Sequence, residues 1–343
     1  MNSNRVEDLF SNFNKQILVI GDIILDRFVY GNVNRFSPES PSCVILDEEK
    51  SCNFLGGAAN TAANFIGLGA KCVRLCGLLG FDSAGQDVRL IMHQDYNEQG
   101  YGIDDRTHKT RRITTVKTRF VSQDGKHLLR HDREDVSPSF GLEKEIMLTK
   151  FKDVVKHVSA VVIEDYGKGV VTADMVRDVM DTASGLEIPV FIDPKKEYWE
   201  HFQGAEVVTP NVNEAYTALG RKVPSTAGEL NSSIDDVGDT LLKYTRAKSV
   251  IITRGSDGMS FYGENGDKFW SLPKPVNAVD VSGAGDTAVA MLTLSKLAGA
   301  SWKEATTLAN LAAGIAVQKA GTAVVKKEDI LKSFPNTQEI IND

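Results

Sequence analysis

A chain of 343 residues with 42% apolar and 25% charged residues has the balance of a globular protein, and it is long enough to need no disulfide support. Its formal charge of -7, from 39 basic and 46 acidic residues, excludes broad nucleic-acid binding, which needs a concentrated basic surface. No apolar run reaches the roughly 18 residues of a transmembrane helix, and MNSNRVEDLF lacks a signal peptide's basic-then-apolar pattern, so a cytoplasmic location without a membrane partner is expected.

In chain order, the first element is the β-rich run QILVIGD at 16–22. The segment Gly21-Asp22-Ile23-Ile24-Leu25-Asp26 reads as the close of that strand, with two carboxylates four apart. Acceptors at a strand end, where open α/β sheets bind ligands, suit the hydroxyls of a polyol; a metal site is the competing reading. Residues about 28–55 show no long helix and read as antiparallel lid strands outside the main sheet. Gly56 and Gly57 then open a helix whose first turn carries Asn60, and a Gly pair lets backbone approach a ligand closely, although such pairs also occur in plain turns. Cys72 and Cys76 sit in a strand-like run, form no Cys-x-x-Cys pair and have no zinc-ligand spacing to a His, so they read as reduced core cysteines.

A second lid segment spans about 111–131, with the alternating patterns RITTVKTRFVS and HLLRHDR. Lys117 and Arg119 share one face of it, with Arg111, Arg112 and Arg130 nearby; these cations suit an anionic substrate, or they serve only to discourage edge aggregation. Then come AVVIED at 160–165, PVFID at 189–193, EVVTP at 206–210 and SVIITRG at 249–255. Helical stretches such as TADMVRDVMDTAS and NEAYTALG separate most of them. Strands alternating with helices predict an α/β fold with a mostly parallel sheet covered on both faces. One domain, 1–343, with an inserted β lid is the economical reading.

The segment 277–300, NAVDVSGAGDTAVAMLTLSKLAGA, carries the most chemistry. A short β-like run is expected to end at Asp280, and Ser282-Gly283-Ala284-Gly285-Asp286 leads straight into a helix. Bare amides at a helix N-terminus cradle an anion, and the helix dipole favours negative charge there. A carboxylate beside that cradle repels a resting phosphate, so Asp286 reads either as the base that takes the proton of an attacking hydroxyl or as a simple helix cap. No Gly-Lys-Ser/Thr follows, so this is not a Walker loop, and the third glycine of a dinucleotide fingerprint is missing.

GDIILD, GGAAN, TPNVNEA, TRGSDG and DVSGAGD, in that order and across nearly the whole chain, resemble the PfkB/ribokinase family of carbohydrate kinases. The resemblance implies a ribokinase-like fold and ATP with Mg²⁺ as cofactors. Gly283, Ala284 and Gly285 would then form an anion hole around the base Asp286. Asn211 and Glu214 would organise Mg²⁺ largely through water, Lys195 would meet a phosphate, and Arg254, Gly255 and Gly258 would lie by the nucleotide, with Asn310 and Ala313 near the adenine. Asp22, Asp26, Gly56, Gly57 and Asn60 would hold the sugar, together with Lys117, Arg119, Asp165 and Lys168. Ser282 stands where many members have Thr, which keeps the hydroxyl. Some members also need a monovalent cation, for which no ligands are assigned.

Within the family, GDIILDRFVYG, the turn Arg35-Phe36-Ser37-Pro38-Glu39-Ser40-Pro41 and EDYGKGVV resemble the kinases of D-glycero-D-manno-heptose 7-phosphate, with Leu55 departing from their usual Pro. That implies phosphorylation of the C1 hydroxyl to the 1,7-bisphosphate in lipopolysaccharide-core precursor synthesis, and a homodimer clasped through the lid. Many such kinases carry a fused nucleotidyltransferase; the chain's end at 343 reads as a stand-alone kinase. Fructose 6-phosphate, tagatose 6-phosphate or ribose kinases of the same family are the near alternatives, and a catalytically silent sugar-phosphate-binding regulator the distant one.

Overall fold

The computed structural model describes residues 1–39, 43–98, 101–122, 125–139, 141–195, 198–272 and 276–334; Ser40 and Pro41 of the expected lid turn lie outside them. Ten strands form the main sheet. Its central run is parallel, in the spatial order Ser249–Thr253, Val207–Val208, Val190–Asp193, Ala160–Glu164, Gln16–Gly21, Cys72–Cys76 and Tyr101–Asp105. Antiparallel strands finish both edges: Met259–Gly263 and Lys268–Ser271 on one side, Asn97–Glu98 on the other.

The apolar runs of the central strands follow from burial on both faces, since successive side chains point to opposite sides. Ile17 and Val19 enter one core with the helices Ser3–Ser11, Ala58–Leu68, Ser83–Asp95, Ala284–Leu297 and Trp302–Ala316. Leu18 and Ile20 enter the other, with Leu142–Val154, Ala173–Gly185, Val212–Ala218 and Ala227–Thr245. Helix starts obey local chemistry: the Thr172 hydroxyl accepts from the Met175 amide at 3.3 Å, and Asn211 and Glu214 form a reciprocal capping box. Cys52, Cys72 and Cys76 are free thiols, and burial pushes Cys76 up to about 12.

The lid is a four-stranded sheet in the order His127–Arg133, Thr115–Ser122, Ile23–Phe36 and Cys43–Gly57. It departs from expectation in two ways. Its central pair, Ile23–Phe36 with Thr115–Ser122, runs parallel, from Ile24 beside Thr115 to Gly31 beside Ser122. The lid also starts earlier than residue 28: the core strand stops at Gly21, only Asp22 intervenes, and Ile23 already belongs to the lid. Asp26 is therefore a lid residue, not the end of the first strand. Residues 276–280 likewise form no strand; the Val279 and Asp280 amides donate to the Val317 carbonyl at 2.7 and 3.1 Å.

Candidate active site

Asp286 lies in the first turn of Ala284–Leu297, buried to 1% exposure. It does not cap the helix, whose N-cap is Gly283 with no side-chain bond. Its Oδ2 accepts from Asn60 Nδ2 at 2.6 Å, and its Oδ1 accepts from the Tyr166 hydroxyl. Burial pushes the carboxyl up to about 6 against the pull of those two donors; Asp26 adds to the rise and Lys117 opposes it. Gly283 makes the arrangement possible. It adopts φ +77°, and a Cβ there would strike the Asn60 amide nitrogen.

Gly283 and Gly285 line a cavity of about 230 Å³ over the carboxyl ends of the parallel strands. Its polar end holds Asp165, Tyr166, Asp193, Lys195, Asn211 and Glu214; its apolar end includes Ile251, Met259, Val281, Leu292 and Ala309. A phosphate chain and a heterocycle need that division. The Ala284 amide faces back to the Val281 carbonyl at 3.4 Å, whereas the amides of Gly285 and Asp286 have no intrahelical acceptor, as in any first turn. Lys195 Nζ reaches Glu214 Oε1 at 2.7 Å, while Glu214 Oε2 takes the Asn211 amide at 2.9 Å.

Several residues expected around the nucleotide are not among those that line the cavity. Arg254 is buried, bonded to Asn231 and Ser260 and with its guanidinium carbon 4.7 Å from the centroid of the Trp270 ring. Gly255 and Gly258 shape the tight turn at residues 255–258 with φ of +57° and +84° and do not line the cavity. Asn310 ties its helix to the sheet edge, donating to the Ser271 carbonyl at 3.1 Å, while Ala309, one position earlier, lines the cavity.

On the sugar side the chain itself occupies several of the expected groups. Asp22, fully buried, accepts the Tyr166 and Lys168 amides on Oδ2 and the Val170 amide on Oδ1, each at 2.9 Å. Asn60 is fully buried and serves Asp286. Asp26 pairs with Arg119, and a Cβ on Gly56 would strike the Asp26 carboxylate, while one on Gly57 would strike the Asp22 carbonyl. Lys168 Nζ pairs with Glu134 at 2.6 Å. Lys117 meets no carboxylate within ion-pair distance among the described residues; its Nζ lies 5.2 Å from the centroid of the Tyr166 ring, and burial lowers its pKa.

Two residues escaped the sequence reading. Tyr166 sat inside a quoted motif but was not assigned a role. Glu164 is fully buried, in register with Asp193, and neither of its oxygens has a hydrogen-bond partner among the described residues. Burial and the facing Asp193 raise it well above the carboxylate range. Nothing in AVVIED marked that position, because strand-end carboxylates usually face solvent.

A parallel sheet with an attached β lid, and a glycine-started helix presenting a buried carboxylate to a strand-end cavity, define a ribokinase-like fold equipped for phosphoryl transfer to a hydroxyl. The chain belongs to the pfkB family of carbohydrate kinases, whose profile matches residues 14–329, and it is accordingly a phosphotransferase with an alcohol acceptor. It is 39% identical over 326 residues to the bifunctional protein HldE of Caulobacter vibrioides, covering 94% of this chain and 64% of that one. With the bifunctional protein HldE of Bradyrhizobium diazoefficiens the identity is 36% over 321 residues, covering 93% and 63%. The chain thus spans less than two thirds of the length of these relatives. Escherichia coli phosphofructokinase-2 in complex with potassium superposes with a TM-score of 0.73 at 17% identity, covering 93% of this chain and 98% of the other. Arabidopsis thaliana ribokinase complexed with ribose and ATP gives 0.70 at 19%, covering 94% and 99%. At such identities the likeness establishes the fold. No helix among the described residues is long and apolar enough to cross a membrane.

Proposed function

We propose that this kinase transfers the γ-phosphoryl group of ATP to the C1 hydroxyl of D-glycero-β-D-manno-heptose 7-phosphate, with Asp286 as the general base. The observation that carries the chemistry is the placement of Asp286: buried, gripped at both oxygens, and in the first turn of a helix whose start lines the cavity. A base with a pKa of about 6 is ionised at neutral pH yet keeps a useful proton affinity. The sugar assignment rests on the resemblance of DRFVYG, the turn at 35–41 and DYGKG to heptose 7-phosphate kinases, and on the identity with the HldE proteins. Lys117, which has no carboxylate at ion-pair distance among the described residues, supplies positive charge beside the lid for a substrate that already bears a phosphate, and Arg119, Arg130 and Lys168 would join it by exchanging their pairs with Asp26, Asp132 and Glu134.

In this reading Asn60 and Tyr166 fix the carboxylate, Asp286 takes the proton of the attacking hydroxyl, and the amides of Gly285 and Asp286 face the charge that develops on the transferred group. Lys195 shifts from Glu214 towards a phosphate. The donors also fit Mg²⁺: Asn211, Glu214 and Asp193 bring hard oxygens to the polar end of the cavity, while no cluster of three His, Cys, Asp or Glu among the described residues forms a protein cage. Mg²⁺ retains waters and is commonly carried by one or two carboxylates and the nucleotide. When bound, it neutralises phosphate charge. A monovalent cation requirement and a dimer through the lid belong to the same proposal; the potassium of the phosphofructokinase-2 complex supports the first, and the 61% exposure of Leu129 on the lid edge supports the second.

The test is ADP release with Mg·ATP and heptose 7-phosphate, fructose 6-phosphate or ribose. Release confined to the heptose supports the assignment; release with another sugar and none with the heptose overturns it and leaves the family chemistry intact. Asp286→Asn should keep ATP binding and lose about 10²–10⁴-fold in turnover, the usual contribution of a general base. Near-normal turnover in that variant removes Asp286 from the role.

A further inference from the structure

Tyr166 is held for a purpose that its motif did not announce. It stands in a loop fixed from several sides. Asp22 gathers the amides of residues 166, 168 and 170, the Arg112 guanidinium donates to the Lys168 and Asp135 carbonyls at 2.8 Å each, and Asp165 accepts the Gly167 amide at 2.7 Å. A loop so tied presents the phenol in one orientation, and its hydroxyl donates to Asp286 Oδ1. We propose that Tyr166 is a positioning residue for phosphoryl transfer, whose hydroxyl grips and aims the Asp286 carboxylate.

The inference rests on Asp286 being the base. The charged and titratable groups facing Asp286 are Asp26 and Lys117 from the lid, Glu164 and Asp193 from the sheet, and Tyr166 itself. Burial and Asp26 favour the neutral carboxyl, and Lys117 with two donors, Tyr166 and Asn60, opposes them; Glu164 and Asp193, themselves held protonated by burial, add no charge. Tyr166 cannot reverse roles with its partner. Burial and the surrounding acids raise its own pKa well above the phenol range, so it remains a donor throughout the working pH. The tethers on its backbone and the lysine at its ring do not involve the hydroxyl, so the Phe variant removes only the donated bond.

The experiment compares Tyr166→Phe with wild type and Asp286→Asn, using Mg·ATP and the sugar that gives the highest ADP release, across pH 5 to 9. The acid limb of kcat/KM should move upward in Tyr166→Phe by about one to two pH units, the worth of one hydrogen bond to a charged group. Turnover should be lost about ten- to a hundredfold below the limb and largely recovered on the alkaline plateau. A ¹³C-carboxyl NMR titration of the sugar-free protein should show the same shift at Asp286. A limb and titration that stay in place, whether activity is normal or uniformly lowered, overturn the role of Tyr166 while leaving the base intact. An Asp286→Asn enzyme that turns over normally removes the base itself, so the two failures are told apart.

Discussion

Gly283 and Gly285 sit two residues apart in the same turn, and the structure gives them opposite sensitivities to a single added methyl. At Gly283 the φ of +77° is left-handed, and an alanine Cβ would meet the Asn60 amide nitrogen. The conformational cost is about 1–2 kcal/mol, and forcing a methyl into a closed site adds about 1–3 kcal/mol, so Gly283→Ala should lose roughly 2–5 kcal/mol. Displacing Asn60 also removes one of the two donors on Asp286, so turnover near pH 6 should fall further than turnover near pH 8. At Gly285 no atom beyond its chain neighbours and its own helical backbone lies within 4 Å of the new Cβ, and the φ is not left-handed. Gly285→Ala should hold or gain up to about 1 kcal/mol from helix propensity. Yet Gly285 lines the cavity, so its methyl enters the phosphate space and turnover should drop in a well-folded protein. Urea unfolding and steady-state kinetics on both variants read the four quantities. Equal stability in the two variants, or a fully active Gly285→Ala, would refute the reasoning.

Two further outcomes follow from buried charge. Glu164 has its folded pKa raised above the ordinary 4.5, so the stability it contributes is full below about pH 4.5 and is lost as pH rises through the folded value. Glu164→Gln should therefore flatten the fall of Tm with rising pH, leaving the share of Asp193, which is raised by the same burial; an unchanged slope in a thermal scan series removes the argument. Arg119 and Asp26, 8% and 4% exposed, pair inside the lid, so Arg119→Met strands a buried carboxylate and should cost about 3–5 kcal/mol in a urea titration. A loss under about 1 kcal/mol would mean that water reaches the pair, as at exposed ion pairs.

Periodicity made the main sheet legible because strands buried on both faces are written as short apolar runs, and all five runs from QILVIGD to SVIITRG became parallel strands. The lid was legible as an interruption of that rhythm, but its parallel central pair was not, since pairing across some ninety residues leaves no local mark. At the site, the glycine turn and Asp286 were readable because a strained helix start demands particular residues. Side-chain direction was not. No motif announced that Asp22 holds a loop, that Asn60 donates to Asp286, or that Arg254 and Asn310 bond to Asn231 and Ser271. Glu164 and Tyr166 became visible only when the register set one beside Asp193 and the tethered loop carried the other to Asp286.

The passage from core strand to lid strand through Asp22 alone gives one side chain a hold on several parts of the molecule. Gln16–Gly21 is the inner strand of the main sheet, Ile23–Phe36 is an inner strand of the lid, and the residue between them grips the loop that carries Tyr166. Cover, floor and the loop that bonds Asp286 thus meet at one residue, the keystone of three arches.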